Sequence, residues 1–370
     1  MNSFRKEKPY WYWLSLLEEI GPVSRRILSD YFSTAEELYH ATDKLLKNVP
    51  LSDKIKAALL DGKRRRRMED EFHKLAERDI YFVTKAEPGF PQRLRDIPDS
   101  PDWLFYRGEL PREEVPSVAI IGARECSVYG KGVAEKLARE LAQTGIPIIS
   151  GMARGIDGYA GRAAIRCGKS YAVLGSGVDI CYPMENYSLY EQLPGKGGII
   201  SEYAPGSKGA AWHFPCRNRI IAGLADGLIV VEARKKSGTL ITVEYALEQG
   251  KDVFAVPGRI GETLSEGCNE LIRQGAFMIT GSIDIVEELS KRYTLSQKSE
   301  KNIKNKFFLE QPEKIVYAYL RLEPKNVEEI LKEVDFSLPE LIKILYSMEK
   351  KGIVYSPAAN YYALAEPDIE

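Results

Sequence analysis

The stretch "SGMARGIDGYAGRAAIRCGKS", beginning at Ser150, follows the apolar run "IPII" and sets Arg154 and Asp157 among Gly151, Gly155, Gly158 and Gly161. Small residues let backbone N–H groups approach a ligand, a helix start adds partial positive charge, and an arginine adds a full one, a combination that suits an anion. Three readings are open: a nucleotide cofactor site, a phosphate cradle for nucleic acid, or a strand-to-helix turn with no ligand. Similar combinations recur at Gly122-Ala123-Arg124, at Gly175-Ser176-Gly177 and at Lys235-Lys236-Ser237-Gly238-Thr239. Taken alone, Asp157 reads as a helix cap, possessing the option of orienting Arg154, and Gly151 as a tight turn. The functional reading rests on several such loops meeting at one sheet edge.

Known nucleotide motifs are absent. Gly168-Lys169-Ser170 imitates the end of a P-loop, but the first glycine of that motif is replaced by Ala163, and Ser170 begins a strand. After Gly175 and Gly177 the third position of a dinucleotide fingerprint is Ile180. No cofactor is therefore expected. Cys126, Cys167, Cys181, Cys216 and Cys268 form no CxxC pair, and three histidines accompany them, so neither a disulfide framework nor a metal site is expected. His213 stands alone between residues 113 and 290, which leaves no Ser-His-Asp or Cys-His constellation for catalysis there.

The elements that must position these loops are legible in the pattern. "SVAIIG", "IPIIS", "SYAVLG", "GGIIS", "GLIVVE" and "DVFAVP" are short apolar runs separated by amphipathic helical segments, the pattern of a doubly wound, mostly parallel α/β sheet covered on both faces. Such a sheet binds ligands beyond the carboxyl ends of its strands, where the loops above fall. Five segments follow: a helical domain over 1–75, a proline-punctuated connector over 76–112 packing on the core, the sheet core over 113–290, a basic linker over 291–308, and a domain over 309–370 whose helices and final hairpin suggest a winged helix. Lys63 to Arg67 reads as a charged helix rather than a DNA contact.

With 370 residues, 44% hydrophobic, the chain can bury a substantial core, and no apolar run approaches the roughly 20 residues that span a bilayer. The amino terminus lacks a signal-peptide pattern, so a cytoplasmic location with no membrane partner is expected. The formal net charge of -1 hides an uneven distribution: 291–308 holds 6 Lys+Arg against 1 Asp+Glu, and 309–370 holds 7 against 12. Any nucleic-acid binding must then use a local pocket rather than a basic surface, and the acidic C-terminal domain reads as a protein-contact or regulatory module.

The runs "VAIIGAR", "SGMARGIDGYAGRAAI", "YAVLGSGVDICYPMEN", "ISEYAPG", "WHFPCRNRIIAGLADGLIVVEARKKSGTLITVEYALEQGKDVFAVPG" and "GCNELIRQGA" resemble successive motifs of the DNA-processing protein A family, also called Smf, nearly continuously over about residues 113–290. The resemblance implies an extended Rossmann-like core that self-associates as a homodimer, binds and protects single-stranded DNA in natural transformation, and helps load the RecA recombinase. Residues 1–62 are similar to the sterile-alpha-motif or helix-hairpin-helix-like domain that precedes this core in many members. Carried over by motif, Arg124, Phe214, Arg217 and Asn218 are the first candidates for DNA contact, followed by Ser237, Gly238 and Thr239. Ser150, Gly151, Arg154 and Gly155 form one wall of the cradle. Arg219 is read equally as a DNA contact or as a structural ion pair near Asp226. The helix around Asn269–Gln274 is a candidate for self-association by resemblance.

The chain departs from the family pattern at three places: Ala211 stands where Arg or Lys precedes the Trp-His-Phe segment, Gly161 where many members carry His, and Ala123 where Thr or Ser is usual. Lys208 is the candidate to replace the charge missing at 211. The core also resembles, more distantly, the LOG-type nucleotide phosphoribohydrolases. At their Gly-Thr-x-x-Glu motif, however, Gly238-Thr239 is followed by Thr242, and Glu244 falls two residues late, about 200° round a helix. Binding without turnover is the expected activity, with nucleotide binding or hydrolysis as the alternative.

Overall fold

The computed structural model describes residues 3–61, 71–293, 310–320, 324–351 and 353–364. Its centre is a nine-stranded sheet: β1 Tyr81–Thr84, β2 Trp103–Gly108, β3 Val118–Ile121, β4 Ile148–Ser150, β5 Ser170–Leu174, β6 Gly197–Ser201, β7 Gly227–Val230, β8 Asp252–Ala255 and β9 Phe277–Met278. Spatial order is β1-β2-β6-β5-β4-β3-β7-β8-β9. The seven strands from β6 to β9 are parallel, while β2 runs antiparallel to β6 and β1 antiparallel to β2. Every residue of β3 to β7 is buried, which explains apolar runs without polar alternation: helices cover both faces. On β3, Val118 and Ile120 pack with Leu137, Leu141, Ala160 and Ile285, whereas Ala119 and Ile121 pack on the other face with Ile220, Leu224 and Val243. The chain winds from β3 through β6 to one side and from β7 to β9 on the other. The crevice between the carboxyl ends of β3 and β7 is therefore the point where the winding reverses, the place where such sheets bind ligands.

The segment read as a connector enters the sheet. Its aromatic runs "YFVT" and "WLFYRG" favour extended backbone, and they become β1 and β2, with the prolines outside both strands. Five helices within residues 3–60 pack on this side: Tyr12, Trp13 and Leu17 share a core with Phe82, Phe105, Leu174 and Ile199. A buried ionic cluster fastens the two parts. Glu202, at the end of β6, accepts from Arg25 and Arg219, each at 2.7 Å, and Trp103 Nε1 donates 2.9 Å to the Glu202 carbonyl.

The C-terminal region has its own core, built by Val316, Ile330, Leu341, Leu345 and Met348. Helices Gln311–Tyr319, Val327–Leu331 and Leu338–Lys350 precede a hairpin of β11 (Val354–Ala358) and β12 (Tyr361–Leu364), and β12 also pairs with β10 (Lys325–Asn326). The Lys63–Arg67 run and most of the basic linker lie outside the described residues.

Candidate nucleic-acid interface

A cavity of about 470 Å³ opens at the β3/β7 crevice. Gly122, Ala123 and Arg124 line it from the loop after β3, Ala153 and Asp157 from the loop and helix start after β4, and Arg234, Ser237, Gly238 and Thr239 from the loop and helix start after β7. Helix His213–Leu224 supplies Phe214, Arg217 and Asn218. Four segments remote in sequence thus converge because each follows, or packs beneath, one end of the sheet.

Local packing fixes the walls. Gly155 has φ +73, and a Cβ there would overlap the Ala123 and Arg124 carbonyls, so only glycine lets helix Ile156–Cys167 start against the β3 loop. A Cβ at Gly151 would lie 2.6 Å from Arg217 Nη1, which explains the small residue directly after β4. Glu232, buried at the end of β7, accepts from Ser127 N at 2.9 Å and Ser127 Oγ at 2.5 Å; its carbonyl accepts from Ala123 N at 2.8 Å. Those bonds hold the loop bearing Arg124. Thr239 Oγ1 donates 3.2 Å to the Gly122 carbonyl across the crevice.

Charge inside the cavity is buried and charge at its rim is exposed. Arg217 is 6% exposed; its Nη1 donates to the Gly151 carbonyl at 2.9 Å and to the Val173 carbonyl. Burial pulls its guanidinium down to about 10, opposed by Asp157. Burial likewise raises the Asp157 carboxyl, opposed by Arg217 and by the Gly151 N–H that Asp157 accepts at 2.8 Å. Arg217 Nε and Ser237 Oγ are shielded from solvent and have no hydrogen-bond partner. Arg124 and Arg234 are exposed at the mouth, followed by exposed Lys235 and Lys236.

Aromatic rings border the same mouth. Phe214 lies 5.3 Å, centroid to centroid, from Tyr182, which is 54% exposed. Trp212, 56% exposed, stands edge-on to His213 at 4.1 Å, and His213 stacks on Tyr203 at 3.7 Å. Burial holds the His213 imidazole below the usual histidine range, against the effect of the Gly175 carbonyl 2.9 Å from Nδ1. It therefore serves as a packing ring rather than a cation.

Arg124, Phe214, Arg217, Asn218, Ser237, Gly238 and Thr239 all reach the cavity lining. Ser150 and Gly151 lie buried behind it, and Gly155 supports the β3 loop from outside. Arg154 is exposed and paired with Glu185, and Asp157 accepts from the Gly151 N–H at the start of its helix rather than orienting Arg154. Lys208 and Ala211 are exposed in the loop before Trp212. Arg219 turns away to Glu202 and to the Asp99 carbonyl at 2.8 Å; Asp226 instead binds Ser117 N and Tyr293. Thr242 lines the cavity while Glu244 is exposed outside the lining. Sequence reasoning missed Arg234 and Tyr182; the cationic run after β7 was the signal for the first, whereas nothing local marks a loop tyrosine as a neighbour of Phe214. Among the described residues no group of His, Cys, Asp and Glu could hold a metal ion, and no helix is long and apolar enough to cross a membrane.

The chain is similar to known proteins over the sheet that builds the cavity. The family model for DNA recombination-mediator protein A matches residues 81–290. DNA processing protein DprA of Streptococcus pneumoniae is 45% identical over 200 residues, 54% of this chain and 71% of that protein. Protein Smf of a Synechocystis species is 35% identical over 303 residues, 80% of this chain and 76% of that one. The X-ray structure of DNA processing protein A from Streptococcus pneumoniae superposes with a TM-score of 0.65 at 34% identity, covering 76% of this chain and 97% of that one. A structure of DNA processing protein A from Helicobacter pylori, described for its single-stranded DNA binding mode, gives 0.52 at 30% identity, covering 57% and 97%. A family match beginning at β1 and ending in the last core helix spans the sheet that builds the cavity, and the chain belongs to the DNA-processing protein A (Smf) family.

Proposed function

We propose that this chain binds single-stranded DNA in the β3/β7 cavity and acts in the cytoplasm by binding rather than turnover, in the handling of DNA taken up during transformation. The observation that supports this most directly is the composition of the cavity. Cations at its mouth, a helix start at Ser237-Gly238-Thr239 and the shielded Ser237 Oγ suit a phosphate; Phe214, with Tyr182 beside it, offers a face to a base. A duplex keeps its bases stacked inside, so it cannot present one to Phe214. Arg124 and Arg234 are the direct phosphate contacts, and the buried Arg217 holds the Gly151 turn beneath them.

Membership of the family extends the proposal to loading of the RecA recombinase and to a homodimer formed through the core. For the dimer, the edge strand β9 exposes Phe277 and Met278, whereas on the neighbouring helix Leu271 is buried and Asn269 bonds to Gly258. The C-terminal region, three helices followed by a hairpin and rich in acid, is proposed as a winged-helix-like module that contacts protein.

The test is fluorescence anisotropy of labelled oligothymidylate and its duplex at two salt concentrations, with Arg124→Ala beside the wild type. Preferential, salt-sensitive binding of the single strand is expected, weakened by Arg124→Ala, with a salt slope shallower by about 0.7 for the lost contact. Equal affinity for both forms, or no binding to either, overturns the proposal.

A further inference from the structure

Two helices start at the loop that carries Arg124. Ser127 caps helix Val128–Gln143, and Gly155 opens helix Ile156–Cys167 beneath the Ala123 and Arg124 carbonyls. In each, the fourth residue lies about one turn, ~5 Å, beyond the loop. Those residues are Lys131 and Tyr159, and they meet: Lys131 Nζ is 5.0 Å from the centroid of the Tyr159 ring. From the next turn Arg162 brings its guanidinium carbon to 4.8 Å from the same ring.

The charges of this cluster are not neutralised. Arg162 donates to the neutral amide oxygen of Asn186 at 2.6 Å, and among the described residues neither Arg162 nor Lys131 forms an ion pair with a carboxylate. Other arginines nearby do: Arg154 with Glu185, Arg219 with Glu202 and Arg78 with Asp179. A tyrosine ring attracts each cation weakly and leaves their mutual repulsion in place. A phosphodiester between them relieves that repulsion, and its charge-assisted hydrogen bonds are stronger than neutral ones. The ligand class follows from position as well as charge, because Lys131 and Tyr159 lie one helical turn from the loop whose Arg124 lines the cavity.

We infer that Lys131, Tyr159 and Arg162 form a second phosphate contact for the same single strand, gripping the nucleotide that follows the one in the cavity. This rests on the proposed binding of single-stranded DNA at the β3/β7 crevice. The strand then leaves the cavity past Arg124 and over the starts of the two helices.

Anisotropy titrations with a short oligothymidylate that only fills the cavity and a long one that crosses the rim test this, using Lys131→Gln, Arg162→Gln and the pair. The expected result is unchanged affinity for the short strand. For the long one, affinity falls several-fold and the salt slope becomes shallower by about 0.7 per lost contact. Arg124→Ala, run alongside, weakens both strands if the cavity is the site. Wild-type behaviour of the Lys131 and Arg162 variants at both lengths, with Arg124→Ala impaired, overturns the second contact alone. Wild-type behaviour of Arg124→Ala overturns the cavity reading beneath it. Lys131 is exposed, so Lys131→Gln keeps the comparison interpretable if loss of the Arg162–Asn186 bond lowers the melting temperature.

Discussion

Arg217 and Asp157 carry opposite charges into the buried floor of the cavity, and each offsets part of the desolvation of the other. Removing the Asp157 carboxylate leaves the Gly151 N–H unpaired and the Arg217 guanidinium with carbonyl partners alone, at a cost of roughly 1–3 kcal/mol. Asp157→Ala is therefore expected to lower the urea midpoint sharply. Asp157→Asn still accepts from the Gly151 N–H and should lose less. Equal midpoints for wild type and Asp157→Ala would show that Arg217 is compensated elsewhere. Arg124, exposed at the rim, is the cleaner probe of DNA contact, because truncating the buried Arg217 also removes its bonds to the Gly151 and Val173 carbonyls and so disturbs the cavity floor.

At the scale of elements, the cavity depends on two helices being able to start close to the β3 loop. Gly155 is the position that permits this, since its left-handed backbone and its approach to two carbonyls both exclude a side chain. Gly155→Ala adds backbone strain of about 1 kcal/mol to the steric overlap, so a loss of roughly 2 kcal/mol or more is expected by denaturation, with weakened oligothymidylate binding. Unchanged stability and affinity would mean that the loop can move aside freely. The strands of the core are legible in sequence because full burial demands continuous apolar runs. β1 and β2 are not, because the proline-rich stretch between them gives the segment the look of a connector until their aromatic faces meet the helical domain.

At the scale of the molecule, the Arg25–Glu202–Arg219 cluster ties the N-terminal helices to the end of β6. Burial alone would raise the Glu202 carboxyl, but Arg219 and Arg25 outweigh it and hold the group below the ordinary glutamate value of 4.5. A depressed folded-state value means that the stabilisation is fully present above the unfolded value and is lost as pH falls through the folded one. Urea midpoints measured across pH should therefore drop below about pH 4.5, and this part of the drop should vanish in Glu202→Gln, which is also less stable at neutral pH. An identical pH profile in that variant would place the acid sensitivity in other carboxylates. Charge at this scale also limits DNA binding: with a net charge of -1, the protein has only local cations to offer, so the salt slope should be shallow, about -0.7 per phosphate held.

The sequence by itself determined the doubly wound core, the glycine and cation content of the loops after its strands, and the family, because backbone periodicity and close approach are written in local residue types. Only the tertiary structure decided which cations remain open. Arg124, Arg154, Arg217 and Arg219 look alike in the chain, yet one faces the cavity mouth, two are committed to carboxylates, and one is buried against Asp157 beneath a turn. The partners that make this difference, Glu185, Glu202 and Asp157, come from other segments, and whether an arginine is neutralised depends on what the fold places beside it. The pairing of Tyr182 with Phe214 and the meeting of Lys131, Tyr159 and Arg162 have the same origin: they arise where separate strands end and separate helices begin at one edge of the sheet.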